Sequence, residues 1–195
     1  MKLRHLLLIL SLVWSVNCAL AEKVRVMKSA EGGEVVETTF EEGDNEYRFK
    51  KKLSYYDPSG YKVKDENFIL SNDYNYLGIE KTAKTYNVKG QLLQIEILFR
   101  EETSWATGYE RIVLFLDSRG TYRQMDVHFK DDRVDKRIYS QSSSYYDLSG
   151  SKTRTVYYFT SRLTATTGFH WIIEHYNRKG SKISEQLLDV DGNAH

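Results

Sequence analysis

Phe115-Leu116-Asp117-Ser118-Arg119-Gly120 sits near the middle of the chain, where an apolar run ends in Asp, two variable residues and Gly. The same punctuation recurs as Asp57-Pro58-Ser59-Gly60, Asn87-Val88-Lys89-Gly90, Asp147-Leu148-Ser149-Gly150 and Asn177-Arg178-Lys179-Gly180. The glycines stand at 60, 90, 120, 150 and 180, a period of 30 without insertion. Such regularity is the mark of a repeat architecture. Asp or Asn in the first position can accept a backbone N–H two residues on, and the closing residue must take φ > 0, where Gly carries no steric cost. The expected unit is a type I turn closed by a Gly bulge, joining two antiparallel strands. Pro58, the chain's one proline, suits the first central position.

Working outward, five repeats of about 46–75, 76–105, 106–135, 136–165 and 166–195 each hold a strand before the turn and one after it, of ~9 residues or ~30 Å. Lys23 to Lys28 and Glu34 to Phe40 alternate around Ala30-Glu31-Gly32-Gly33 and read as an irregular opening hairpin, followed by an acidic turn from Glu41 to Glu46. Polar connections such as Ser71 to Asn75 and Asp131 to Asp135 link the hairpins, and Gly78, Gly108 and Gly168 recur where a strand begins. Fifteen Tyr, eight Phe and many Thr favour strands, and no helix is expected. The fold class is therefore all-β: an antiparallel hairpin-repeat meander of five 30-residue hairpins plus an N-terminal hairpin, as an open curled sheet or an incompletely closed barrel.

Alternation assigns the faces. Ile95 and Ile97 oppose Gln94 and Glu96, and Met125 and Val127 oppose Gln124, Asp126 and His128. The matching face of the first strands is expected to hold Phe49, Leu53 and Tyr55, then Tyr109, Val113 and Phe115, then Phe169, Trp171 and Ile173. One side would then be buried and the other wet, with Ile112, Leu114 and Leu116 as an apolar exception. Asp65 and Asn67, then Glu185 and Asp189, replace core residues in the end repeats and read as weakened capping units.

Residues 1–21 read as a secretory signal peptide: Lys2 and Arg4 are basic, Leu6 to Val16 is an apolar run of eleven, and Ala19-Leu20-Ala21 supplies small residues for cleavage before Glu22. Residues 22–195 form the single domain. Cys18, the only cysteine, lacks the residues that normally precede a lipidated one, so cleavage after Ala21 is preferred over a lipid anchor. The mature chain would carry 26 basic and 27 acidic residues, a balance that argues against nucleic acid. No later run is long enough for a transmembrane helix.

A Tyr precedes the turn in four repeats, Tyr56, Tyr86, Tyr146 and Tyr176, and would form a ladder of rings that either stabilises the sheet or stacks on a partner. Arg111 and Arg123, with Lys51 and Lys81, lie in sequence register with apolar residues and would suit a cavity holding an acidic head group. His170 and His175 are five apart on one strand and face opposite ways, so no zinc pair arises. Asp189-Val190-Asp191-Gly192 lacks the further acids of a calcium loop and reads as one more turn. No nucleophile elbow, phosphate loop or acid/base pair is present, so neither catalysis nor a cofactor is expected.

Tyr55-Tyr56-Asp57-Pro58-Ser59-Gly60 and Tyr145-Tyr146-Asp147-Leu148-Ser149-Gly150 resemble the tyrosine–aspartate (YD) repeats of secreted bacterial shell proteins and the MORN-like hairpin repeats of small bacterial proteins. The resemblance implies extracytoplasmic hairpin arrays that shield, bind or scaffold. The expected function is thus a secreted or periplasmic, non-enzymatic binding or scaffolding protein with a protein, glycan or lipid partner. The alternative is a lipocalin-like barrel carrying an apolar ligand.

Overall fold

The computed structural model describes residues 21–40, 49–69, 78–102, 108–130 and 138–195. Residues 1–20 of the expected leader (Cys18 among them), the expected acidic turn at 41–46 and the expected connections at 71–75 and 131–135 lie outside them. Twelve strands form one antiparallel sheet in chain order. They are β1 (Ala21–Lys28), β2 (Glu34–Phe40), β3 (Phe49–Tyr56), β4 (Lys62–Ile69), β5 (Ile79–Tyr86), β6 (Leu92–Phe99), β7 (Tyr109–Leu116), β8 (Tyr122–Phe129), β9 (Tyr139–Tyr146), β10 (Lys152–Phe159), β11 (Phe169–Tyr176) and β12 (Lys182–Asp189). β1 pairs only with β2 and β12 only with β11 among the strands, so the sheet is open. Within a repeat the hairpin itself spans residues 49–69, 79–99, 109–129, 139–159 or 169–189, and the rest is connection.

The turns explain the regularity. Asp117 Oδ1 accepts from the backbone N–H of Arg119 at 2.8 Å and of Thr121 at 3.0 Å. Gly120 N–H closes the turn on the Asp117 carbonyl at 2.9 Å, with Gly120 at φ +79°. Asp57, Asn87, Asp147 and Asn177 make the same paired contacts, closed by Gly60, Gly90, Gly150 and Gly180. A register shift follows each turn, between Phe115 and Leu116 in the third repeat, and absorbs the extra residue. The opening hairpin is less irregular than its sequence suggests. Gly32 N–H bonds the Ser29 carbonyl and the Ser29 hydroxyl accepts from Gly33 N–H, so Ser29 takes the place of Asp. Asp189 repeats the device at the C-terminus, where Leu188 bridges Ala194 along the outer edge of β12.

The expectation of no helix is corrected: α1 (Ser161–Thr167) connects β10 to β11. Thr160 caps its N-terminus by accepting from Leu163 N–H, and Gly168, at φ +76°, ends it in the left-handed conformation. The recurring glycine before a strand is here a helix terminator.

Register also corrects the faces. Ile95 pairs with Leu114 and Ile97 with Ile112, while Val113 lies between Glu96 and Asp126. Directly paired residues share a face. Ile112 and Leu114 therefore belong with Ile95, Ile97, Met125 and Val127, and Val113 and Phe115 stand on the charged side. The two strands of a hairpin run in opposite directions through a shifted turn, so the phase of alternation in one cannot be carried into the next by counting. Nor is one side buried and the other wet. Among the described residues a single layer leaves most side chains half-buried on both faces, and the few buried apolar ones are Ala83, Val113, Val127, Val156 and Phe159.

The first repeat is not a weakened unit. Asp65 and Glu66, each 6 % exposed, are buried on opposite faces of β4 and fully engaged by neighbours.

Candidate binding face

Tracing the pairings across the sheet separates two faces of different chemistry. On the charged face, one row runs Glu37, Leu53, Glu66, Ala83, Glu96, Val113, Asp126 and Ser143, with an acid on every second strand. Basic residues one register step away pair with three of its acids: Lys51 lies 3.5 Å from Glu37, Lys81 3.0 Å from Glu66, and Arg111 3.3 Å from Glu96, while Asp126 accepts from the Gln124 amide. Three of the four cations that sequence aligned with apolar residues, Lys51, Lys81 and Arg111, are thus rungs of an ion-pair ladder. Arg111 also lies 3.3 Å from His128, whose pKa is lowered by burial and by that guanidinium. Arg123 is elsewhere, at the register shift, with Nε donating to its own turn's Asp117 at 3.0 Å. The structure does not bring Arg111 and Arg123 together, since Arg111 pairs opposite His128, five residues beyond Arg123.

The apolar face is built differently. At the turn end, Tyr56 pairs with Lys62, Tyr86 with Leu92, Leu116 with Tyr122, Tyr146 with Lys152 and Tyr176 with Lys182. The four tyrosines that sequence singled out do lie in one row, with successive rungs two strands or ~10 Å apart. Their environments differ. Lys152 Nζ sits 3.8 Å over the Tyr176 ring, and the Tyr176 hydroxyl donates to Glu174. The Tyr86 hydroxyl donates to Asp65 at 3.2 Å, and burial together with that carboxylate pushes its pKa up to about 12. Ser54 donates to the other oxygen of Asp65 at 2.6 Å and Lys62 approaches at 3.3 Å. Burial opposes ionisation of Asp65, but these contacts and Lys52 outweigh it and lower its pKa.

Between the tyrosines, β6 to β8 present an uncharged centre of Ile95, Ile97, Ile112, Leu114, Met125 and Val127. Tyr122, 47 % exposed, and Tyr146 flank a groove of about 410 Å³ that also touches Leu114, Met125 and Gly120. At the opposite end of the strands a second series of rings pairs up, including Phe99 with Tyr109 at 6.0 Å and Tyr139 with Phe159 at 5.6 Å. Such contacts stiffen the sheet laterally without a second layer.

Sequence reasoning did not place Tyr122 in this row or see the Asp65 and Glu66 clusters. Period aligns Lys62, Leu92, Tyr122, Lys152 and Lys182 at one repeat position, but the register shift after the turn is what sets them opposite the tyrosines. The burial of Asp65 has no sequence signal, because its partners Ser54 and Tyr86 come from neighbouring strands. Compared with models of known protein families and with curated proteins, the chain matches none.

Proposed function

We propose that this chain is an extracytoplasmic, non-enzymatic binding or scaffolding module that engages its partner through the apolar face. The observation that carries the reading is the uncharged, half-exposed centre of β6 to β8, bordered by tyrosines at regular strand spacing. Rigid rings with polar tips provide contact area at little entropic cost and dominate binding energetics at interfaces. The opposite face supports this choice, because Glu37, Glu66 and Glu96 are paired with Lys51, Lys81 and Arg111, and Arg154 lies over the Tyr145 ring. A carrier would need an enclosed interior, which an open sheet does not provide. The extracytoplasmic placement rests on the leader: intact mass of the exported protein is expected to start at Glu22, and a diacylglyceryl group on Cys18 would replace that with a membrane anchor.

Partners captured from the cell envelope with the wild-type protein test the binding reading. Replacing Tyr86, Tyr146 and Tyr176 singly with Ala is expected to weaken binding by ~1–3 kcal/mol at those that are hot spots. Circular dichroism monitors the fold. Variants that stay folded and hold every identified partner with wild-type affinity would refute the assignment.

A further inference from the structure

The binding reading leaves the partner unspecified, and the inference below rests on that reading while naming one. We infer that the apolar face pairs with the same face of a second copy, about a two-fold axis lying along β7 and parallel to the strands.

Size comes first. At ~4.8 Å per strand and ~3.3 Å per residue, six central strands of eight residues cover ~29 by ~26 Å. Two such faces in contact bury on the order of 1,500 Å², within the range of stable interfaces. The charged face covers the same area, but only this one has Ile95, Ile97, Ile112, Leu114, Met125 and Val127 contiguous at its middle. Sheets stacked face to face keep their strands nearly aligned, as a two-fold parallel to the strands requires.

Charge then selects the axis. On this face, β3 to β5 carry Lys52, Lys62 and Lys84 against Asp65, a net positive sector. β9 to β11 carry Lys152 against Glu174, among Ser142, Ser144 and Thr155, a neutral sector. A two-fold along β7 lays β3 over β11, β4 over β10 and β5 over β9 and keeps each row on itself. Lys84 then meets Ser144, Asp65 meets Thr155 and Ser54 meets Glu174, with Lys62 over Lys152 as the one like-charged pair, at the turn edge. A two-fold across the strands would lay the positive sector on its own copy, which like charges disfavour. β7 sits where an isologous contact must have its axis, so Leu114 faces its own mate.

Sedimentation velocity and cysteine cross-linking of the exported chain, expected to start at Glu22 and so to have no native cysteine, test this. The chain is expected to dimerise at micromolar concentration, and Leu114→Cys to be joined to its mate by a short bis-maleimide linker, which spans the ~10 Å between stacked sheets that a disulfide does not. Lys52→Cys is expected to cross-link through the same linker to Ile172→Cys, which shares its row, in a mixture but not to itself. Leu114→Lys sets two like charges together on the axis and is expected to weaken dimerisation at least ~100-fold with an unchanged circular dichroism spectrum. If Leu114→Lys fails to fold, the cross-linking pattern decides alone. A wild-type monomer at every concentration overturns the inference, as does a dimer that survives Leu114→Lys or that lacks the Leu114→Cys cross-link. A monomer whose tyrosine variants still lose an envelope partner would overturn this inference and leave the binding reading standing. A monomer whose tyrosine variants lose nothing would overturn both.

Discussion

Glu66 offers the sharpest test of how a single-layer sheet tolerates buried charge. Its carboxylate accepts from the Tyr55 hydroxyl at 2.7 Å and lies 2.9 Å from Lys64 and 3.0 Å from Lys81. Burial alone raises its pKa, but the Tyr55, Lys64 and Lys81 hydrogen bonds outweigh it and bring it from 4.5 to about 2. At ~1.4 kcal/mol per tenfold in proton affinity, a fall from 4.5 to about 2 amounts to ~3 kcal/mol at neutral pH. Lys64 and Lys81 are 40 % and 24 % exposed, so solvent screening reduces the expected figure to ~2 kcal/mol. Because the folded pKa is depressed, this stability is present in full above pH ~5 and is lost as pH falls through about 2. Glu66→Gln removes the charge and keeps the shape. Urea titrations at pH 7 are expected to show the variant ~2 kcal/mol less stable than wild type, with most of the gap gone at pH 2. A gap of equal size at both pH values would show that packing rather than ionisation holds this site, and no gap at pH 7 would show that the lysines gain nothing from it.

Other perturbations follow from the same geometry. A Cβ on Gly120 would meet nothing within 4 Å, so Gly120→Ala is expected to cost ~1–2 kcal/mol from φ alone, with Gly120→Asn milder in urea melts. Gly33→Ala differs in kind: its Cβ would stand 2.0 Å from the Tyr56 carbonyl oxygen. It is expected to loosen the packing of the β1–β2 turn on β3, seen as faster amide exchange at Val35 to Thr39 while β5 to β12 keep their protection. Thr160→Ala is expected to lower stability by ~1 kcal/mol through loss of the α1 cap, and Thr160→Ser, which keeps the hydroxyl at this buried site, to restore most of it. Replacing Lys152 with Met removes the cation over the Tyr176 ring and should cost ~0.5–1 kcal/mol, read by the same melts.

The repeat, the turn and the strand content were legible in the amino-acid order because each is local. An Asp or Asn that accepts two backbone N–H groups and a Gly at φ > 0 are properties of five consecutive residues, and Asp117 to Thr121 carry them wherever the strands go. The helix was legible in principle, since Thr160 and Gly168 are its cap and its terminator, but the abundance of β-formers hid it. The candidate row was legible in part: period alone lines up Tyr56, Tyr86, Tyr146 and Tyr176, whereas Tyr122 needed the turn's register shift to join them. What tertiary structure decided was pairing. Alternation shows that Val113 and Leu114 face opposite ways, but not which of them shares a side with Ile95, because that depends on the stagger between two strands. The same stagger set Arg111 against Glu96 and buried Asp65 beneath Ser54 and Tyr86. Contacts made across strands depend on coordinates that no single strand contains, and the division into a charged face and an apolar face was therefore settled only when the strands were laid side by side.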